Sequence, residues 1–234
     1  MERIFSPRGI AFLALFALLA FVGLQLNVFA LQGMTGKSFT LFEFFGPMAG
    51  GFLGIAGVAA VGIAKLAAGL LGGTQLSIVD VIKLSPMMLG AYYFWKNGAR
   101  QLSDKLSILV PILAMAAFWL NPVGQQAWFY ALYWTIPIIV KFLPDRLFLR
   151  SLGATFTAHA VGSVLFLYTI PTVPMLWVGL IPVVAIERTM FALGITASYL
   201  VFTNVLNAVD GVLDINRNVN VEKQYVLELH PEKE

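Results

Sequence analysis

Cysteine is absent from all 234 residues, which excludes disulfides, thiolate metal sites and a cysteine nucleophile. Histidine is nearly absent. His159 and His230 are too few for a multi-histidine centre, so neither a metal nor another cofactor is expected. Charge is scarce as well, at 12% of residues against about 25% in soluble domains. There is no Walker A loop, Gly-x-Ser-x-Gly elbow, His-Glu-x-x-His pair or pair of intramembrane aspartates, and the expectation is a protein that is not an enzyme. The net charge of +3 is dispersed over segment ends without a basic stripe, so nucleic acid is not an expected partner.

What is present is apolar length. With 59% hydrophobic residues and a mean hydropathy of +0.83, the expected class is an all-α, polytopic integral membrane bundle. Taking about 20 residues as a crossing, seven apolar segments are expected: Ile10–Leu31, Gly46–Leu71, Ile78–Trp95, Leu106–Leu120, Gln126–Leu143, Leu149–Ile170 and Trp177–Ala208. Pro182 predicts a kink in the last of these. Residues 1–209 form the membrane domain, and residues 210–234 a polar tail too short for a core of its own.

Basic residues follow alternate segments: Lys37, then Lys96, Arg100 and Lys105, then Lys141, Arg146 and Arg150, then Arg217 and Lys223. The loops "GGTQLS", "NPVG" and "TIPTVP" carry none. The positive-inside rule therefore predicts a cell-membrane protein with a cytoplasmic C-terminus. Seven full spans would put the N-terminus outside despite Arg3 and Arg8. Two readings remove that conflict. The Gly-rich second segment is re-entrant, leaving six spans, or the first segment is a signal peptide cut after "VFA".

Small residues recur at Gly46, Gly50 and Gly54, then at Ala56, Ala60, Ala64 and Ala68. Ala11, Ala14, Ala17 and Ala20 repeat every third residue in the first segment. Such ridges let helix backbones approach in lipid, either within the chain or against another membrane subunit.

Ionisable groups inside apolar segments mark function by default. Glu43 is expected at the interface, Lys65 is expected to snorkel, and Asp80 with Lys83 is expected to form an ion pair. His159 lies mid-segment, and Thr155 and Ser163 share its helix face at spacings of four. Glu187 and Arg188 are adjacent, point about 100° apart, and each need a separate buried partner or a wet cavity. Asn204 and Asn207 lie further along the same helix, towards its cytoplasmic end. The run "WFYALYW" sets Trp128, Phe129, Tyr130, Tyr133 and Trp134 close together, as an interfacial belt or as a stacking wall for a flat heteroaromatic ligand. His159, Glu187 and Arg188, with these aromatics and Trp177, are expected to converge on a small-molecule site.

The run "FFGPMAGGFLGIAGVAAVGIAKL" is similar to the second helix of substrate-binding S components of energy-coupling factor transporters. The runs "AHAVGSVLF" and "WVGLIPVVAIE" resemble the His-x-x-x-Gly segment and final helix of the thiamin-type members. The resemblance covers about a third of the chain. It implies a bundle of typically six spans that captures a vitamin-like nutrient and docks onto a transmembrane coupling subunit driven by ATPases. On that resemblance His159 is the ligand-contacting histidine, Trp177 and Glu187 lie in the contact region, and the small residues Ala11, Ala14, Ala17, Gly50, Gly54, Ala60 and Ala64 are the docking face. The expected function is accordingly solute binding for uptake. The alternatives are an accessory membrane protein without a ligand, and an intramembrane enzyme using His159 and Glu187.

Overall fold

The computed structural model describes residues 18–19, 21–30, 38–73, 77–98, 103–213 and 219–227. The described chain is predominantly helical. After an antiparallel pair of short strands, β1 (Asn27–Ala30) and β2 (Ser38–Thr40), come α1 (Phe42–Phe45), α2 (Met48–Leu53), α3 (Ile55–Leu71), α4 (Ile78–Ile82) and α5 (Ser85–Gly98). Then follow α6 (Leu106–Leu120), α7 (Pro122–Gln126), a 3-10 turn at Trp128–Trp134, α8 (Thr135–Phe142), α9 (Leu147–Thr169) and α10 (Pro174–Leu213).

Local chemistry sets the boundaries. Ser77 and Asp80 form a reciprocal capping box that starts α4. Asn121 ends α6 and caps α7 by accepting from the Val123 amide at 2.9 Å, with Pro122 at the first helical position. Ile170 precedes Pro171 and is extended, which stops α9. Pro174, whose missing amide is harmless in a first turn, opens α10.

Helices α9 and α10 are long and apolar enough to cross a membrane. α10 continues through Pro182 as one helix over 40 residues, so the expected kink does not interrupt it. Its outer face stays apolar and uncovered, with Ile186 62%, Leu193 55% and Val201 60% exposed. In water such a face would be a large unpartnered patch; in lipid it is matched to its solvent.

Three expected segments are built differently. The first does not continue as a helix to Leu31, because Asn27–Ala30 pairs with Ser38–Thr40 as a strand. The third is split at Lys83 and Leu84 between α4 and α5. The second is broken at Gly54, whose φ of +59° and ψ of −136° suit glycine alone. There the chain doubles back. Ala49 and Gly57 touch backbone to backbone, although eight residues of continuous helix would hold them about 12 Å apart.

Packing around this turn uses the small residues internally. Gly50 lies against the Ala91 carbonyl of α5, Gly54 faces the Trp95 ring, and Ala64 is buried in the core. The expected docking face therefore loses Gly50, Gly54 and Ala64 to the chain's own core, because close backbone approach needs residues without side-chain bulk. Ala60 is half-buried, and Ala11, Ala14 and Ala17 lie outside the described residues. The same logic joins α5 to α9, where a Cβ at Gly90 would meet the Ala154 carbonyl at 3.1 Å.

The bundle has two unlike ends. At one, Lys141 pairs with Asp104 at 3.9 Å and Arg150 with Glu222 at 2.7 Å. Residues 219–227 fold back onto this end, where the Asn220 amide donates to the Phe52 carbonyl and Asn204 accepts from the Leu227 amide. The described part of the tail is therefore packed, because Glu222 neutralises an arginine only 2% exposed. At the other end the uncharged loops meet: the Tyr168 hydroxyl donates to the Ala117 carbonyl, and the Trp119 indole to the Trp128 carbonyl.

Candidate functional site

A cavity of about 260 Å³ opens between α3, the α4–α5 corner, α9 and α10, nearer the uncharged end. Its walls bring together His159, Ser163, Trp177, Glu187 and Arg188, five of the residues singled out from sequence. α9 supplies His159, Ser163 and Phe166 along one face. α10 supplies Trp177, Leu180, Val184, Glu187 and Arg188.

His159 is held from three directions. Trp134 donates its indole N–H to Nδ1 at 3.2 Å, and Tyr130 Oη and Ser163 Oγ lie 3.1 and 3.3 Å from Nε2. An indole nitrogen only donates, so Nδ1 presents its lone pair and the neutral ring carries its proton on Nε2. That proton goes to Tyr130 or Ser163, whose own hydroxyl hydrogens are then free to face the cavity. The cavity floor is a set of hydrogen-bond donors.

Arg188 is 3% exposed and lies between two rings, its guanidinium carbon 4.9 Å from the centre of Phe39 and 4.5 Å from that of Phe191. Nη1 donates to Thr155 at 3.4 Å, Nη2 pairs with Glu187 at 3.5 Å, and Nε has no hydrogen-bond partner. Both bonds are long for a guanidinium. The adjacent acid and base thus share one cavity wall, and the separate partner expected for Arg188 is Thr155.

The other expected site residues stand behind this wall. Trp134 is fully buried and orients His159; Thr155 anchors Arg188. Tyr133 ties the 3-10 turn to α10 through the Ile181 carbonyl at 2.9 Å and stacks on Phe156. Trp128 is exposed, so the aromatic run serves as belt, scaffold and wall at different positions. Asn204 holds the tail by donating to the Tyr225 carbonyl at 3.1 Å, and Asn207 is exposed; neither lines the cavity.

Four polar wall residues depart from expectation. Glu43, expected at the interface, and Lys65, expected to snorkel, both line the cavity. Lys83 lines it too while keeping its pair with Asp80 at 3.7 Å. Tyr130, counted in sequence only as part of the aromatic run, touches both the cavity and His159. The usable signal for Lys65 was its place beyond the middle of a Gly/Ala-rich helix, near Gly62 and Ala64, which pack inwards. Among the described residues no cluster of three metal-ligating side chains occurs.

The arrangement suits binding: apolar aromatic walls, a few fixed donors and a paired but incompletely hydrogen-bonded arginine. The chain matches no protein-family model, no curated protein and no solved structure.

Proposed function

We propose that the chain is a multi-pass membrane protein that binds a small vitamin-like solute for uptake, as the likeness to energy-coupling factor S components implies. The observation that carries the reading is the convergence of His159, Ser163, Trp177, Glu187 and Arg188 on one cavity. Side chains from two helices and a 3-10 turn fix these groups, which is the preorganisation that tight capture of a dilute solute requires.

The doubling back at Gly54 supports a re-entrant second segment, six spans, and both termini in the cytoplasm. That plan removes the conflict between Arg3, Arg8 and the later basic loops. The cavity then faces the exterior, the side from which a nutrient arrives. Transfer inward would fall to a separate coupling subunit and its ATPases. The enzyme alternative is disfavoured by His159 itself: with its proton on Nε2 and its Nδ1 lone pair taken by Trp134, it has no free lone pair with which to act as a base.

The test is mass spectrometry of small molecules and proteins that co-purify with the detergent-extracted chain. A retained micronutrient together with ATPase subunits is the expected result. Recovery of neither, combined with no ligand-dependent rise in melting temperature, would overturn the proposal.

A further inference from the structure

The charges on the cavity wall are unevenly satisfied. Of its two carboxylates, Glu187 is the ion-pair partner of Arg188, and Glu43 stands on the same wall. Arg188 is therefore already balanced. Lys65 is not. Lys65, on α3, makes no ion pair with any described residue, and Lys83, 53% exposed, has its counter-charge in Asp80 at 3.7 Å. Lys65 thus brings to the cavity a charge with no ion-pair partner among the described residues, and Lys83 lines the same cavity from the α4–α5 corner.

A cation facing an apolar cavity is costly unless an anion answers it. Deeper in, Tyr130, Phe166 and Trp177 offer ring faces and edges, and the hydroxyls around His159 offer donors. The volume falls below the roughly 300–1,000 Å³ typical of drug-sized sites, so the occupant is small.

We infer that the cavity's ligand is a one- or two-ring planar molecule bearing an anionic group, carboxylate or phosphate. The anion is held at Lys65 and Lys83, and the ring lies against Tyr130, Phe166 and Trp177 with an acceptor atom towards the hydroxyls oriented by His159. The inference rests on the solute-binding reading and names the ligand class for that same site.

The test uses the full chain in phosphatidylcholine nanodiscs, with tryptophan fluorescence and melting temperature as readouts. The probes are matched pairs differing in one anionic group: nicotinate with nicotinamide, and pyridoxine 5′-phosphate with pyridoxine, plus the pyridinium cation 1-methylnicotinamide. The anionic member of at least one pair should bind about tenfold tighter than its neutral partner. The double variant Lys65→Gln/Lys83→Gln should bring the two affinities together while melting, without ligand, no lower than the wild type. Preference for the carboxylate or for the phosphate pair identifies the anion. Equal or tighter binding of the neutral or cationic members overturns the anion inference and leaves solute binding standing. Failure of every probe, with no small molecule co-purifying, overturns both.

Discussion

Trp134 donates its indole N–H to Nδ1 of His159 across 3.2 Å, and that bond decides which ring nitrogen carries the proton. Trp134 is fully buried and does not line the cavity, so it acts on a ligand only through the imidazole. Removing its N–H should release the tautomer. In Trp134→Phe, ¹⁵N spectra of labelled histidine should change from a single Nε2–H form to a mixture. With only one other histidine in the chain, the assignment is direct. Solute affinity should fall about tenfold, the scale of one hydrogen bond to a buried polar group. An unchanged ¹⁵N spectrum would show that Trp134 does not set the ring.

Gly54 should tolerate no side chain. Its φ of +59° with ψ of −136° is a region that only glycine enters freely, so Gly54→Ala should destabilise the protein by about 1–3 kcal/mol. Gly179, on the open face of α10, is helical and has nothing within 4 Å of the place a methyl group would occupy, so Gly179→Ala should be neutral or slightly stabilising. Unfolding in a denaturing detergent, compared across the two variants, checks this. Equal stability of both variants would show that the fold does not depend on the sharp turn at Gly54.

The sequence carried α9, α10 and the convergence across their hairpin, because both runs are long and mostly apolar and the spacing of four puts Thr155, His159 and Ser163 on one face. It did not carry the break at Gly54. The Gly/Ala ridge resumes its spacing of four at Ala56, only two residues beyond Gly54, and small side chains pack equally well along one helix or across a sharp turn. Lys65 and Lys83 were obscured for a different reason. Hydropathy weighs a lysine near a segment end as snorkelling, and only the approach of α3 and the α4–α5 corner to α9 reveals the space they face. Nor does anything local to Arg150 announce Glu222, which lies 72 residues away and reaches it through the fold of the tail.

That tail contact makes its own prediction. Arg150 is 2% exposed, sits 4.5 Å from the centre of the Phe94 ring, and has Glu222 as its ion-pair partner. Glu222→Ala leaves a buried guanidinium unpaired, which should lower stability by about 3 kcal/mol or more. The apolar double variant Arg150→Met/Glu222→Leu should recover most of that loss, since a well-packed apolar pair can replace a buried ionic one. If Glu222→Ala melts where the wild type melts, the pair contributes nothing and the tail is held by its asparagines.

Asp104 lies in the loop between α5 and α6 and supplies an acid-sensitive contact. Burial pushes its carboxyl pKa up, but hydrogen bonds from Ser107 and Tyr92, with the Lys141 ammonium nearby, outweigh burial and hold it below the ordinary value. A depressed folded-state value means stability that is present above the ordinary carboxylate range, about 4, and lost as pH falls through the folded value. The wild-type melting temperature should therefore drop on acidification below about 4, and Asp104→Asn should flatten that acid limb while lowering the plateau at neutral pH. Parallel curves for the two proteins would assign the acid sensitivity elsewhere.

The absence of cysteine turns topology into a direct measurement, because each introduced thiol is the only one in the chain. Ile78 and Val173 are exposed at the ends of α4 and α10 that flank the uncharged loops, and Lys105 and Lys223 are exposed at the charged end. If the basic loops are cytoplasmic, an impermeant maleimide added to intact cells should label Ile78→Cys and Val173→Cys. Lys105→Cys and Lys223→Cys should react only after permeabilisation. Ile78 and Lys105 bracket α5, so labelling of both from one side would deny α5 a crossing and break the six-span plan. Labelling of Lys223→Cys in intact cells with Val173→Cys protected would instead invert the bundle and turn the cavity towards the cytoplasm, which is incompatible with capture of an external solute.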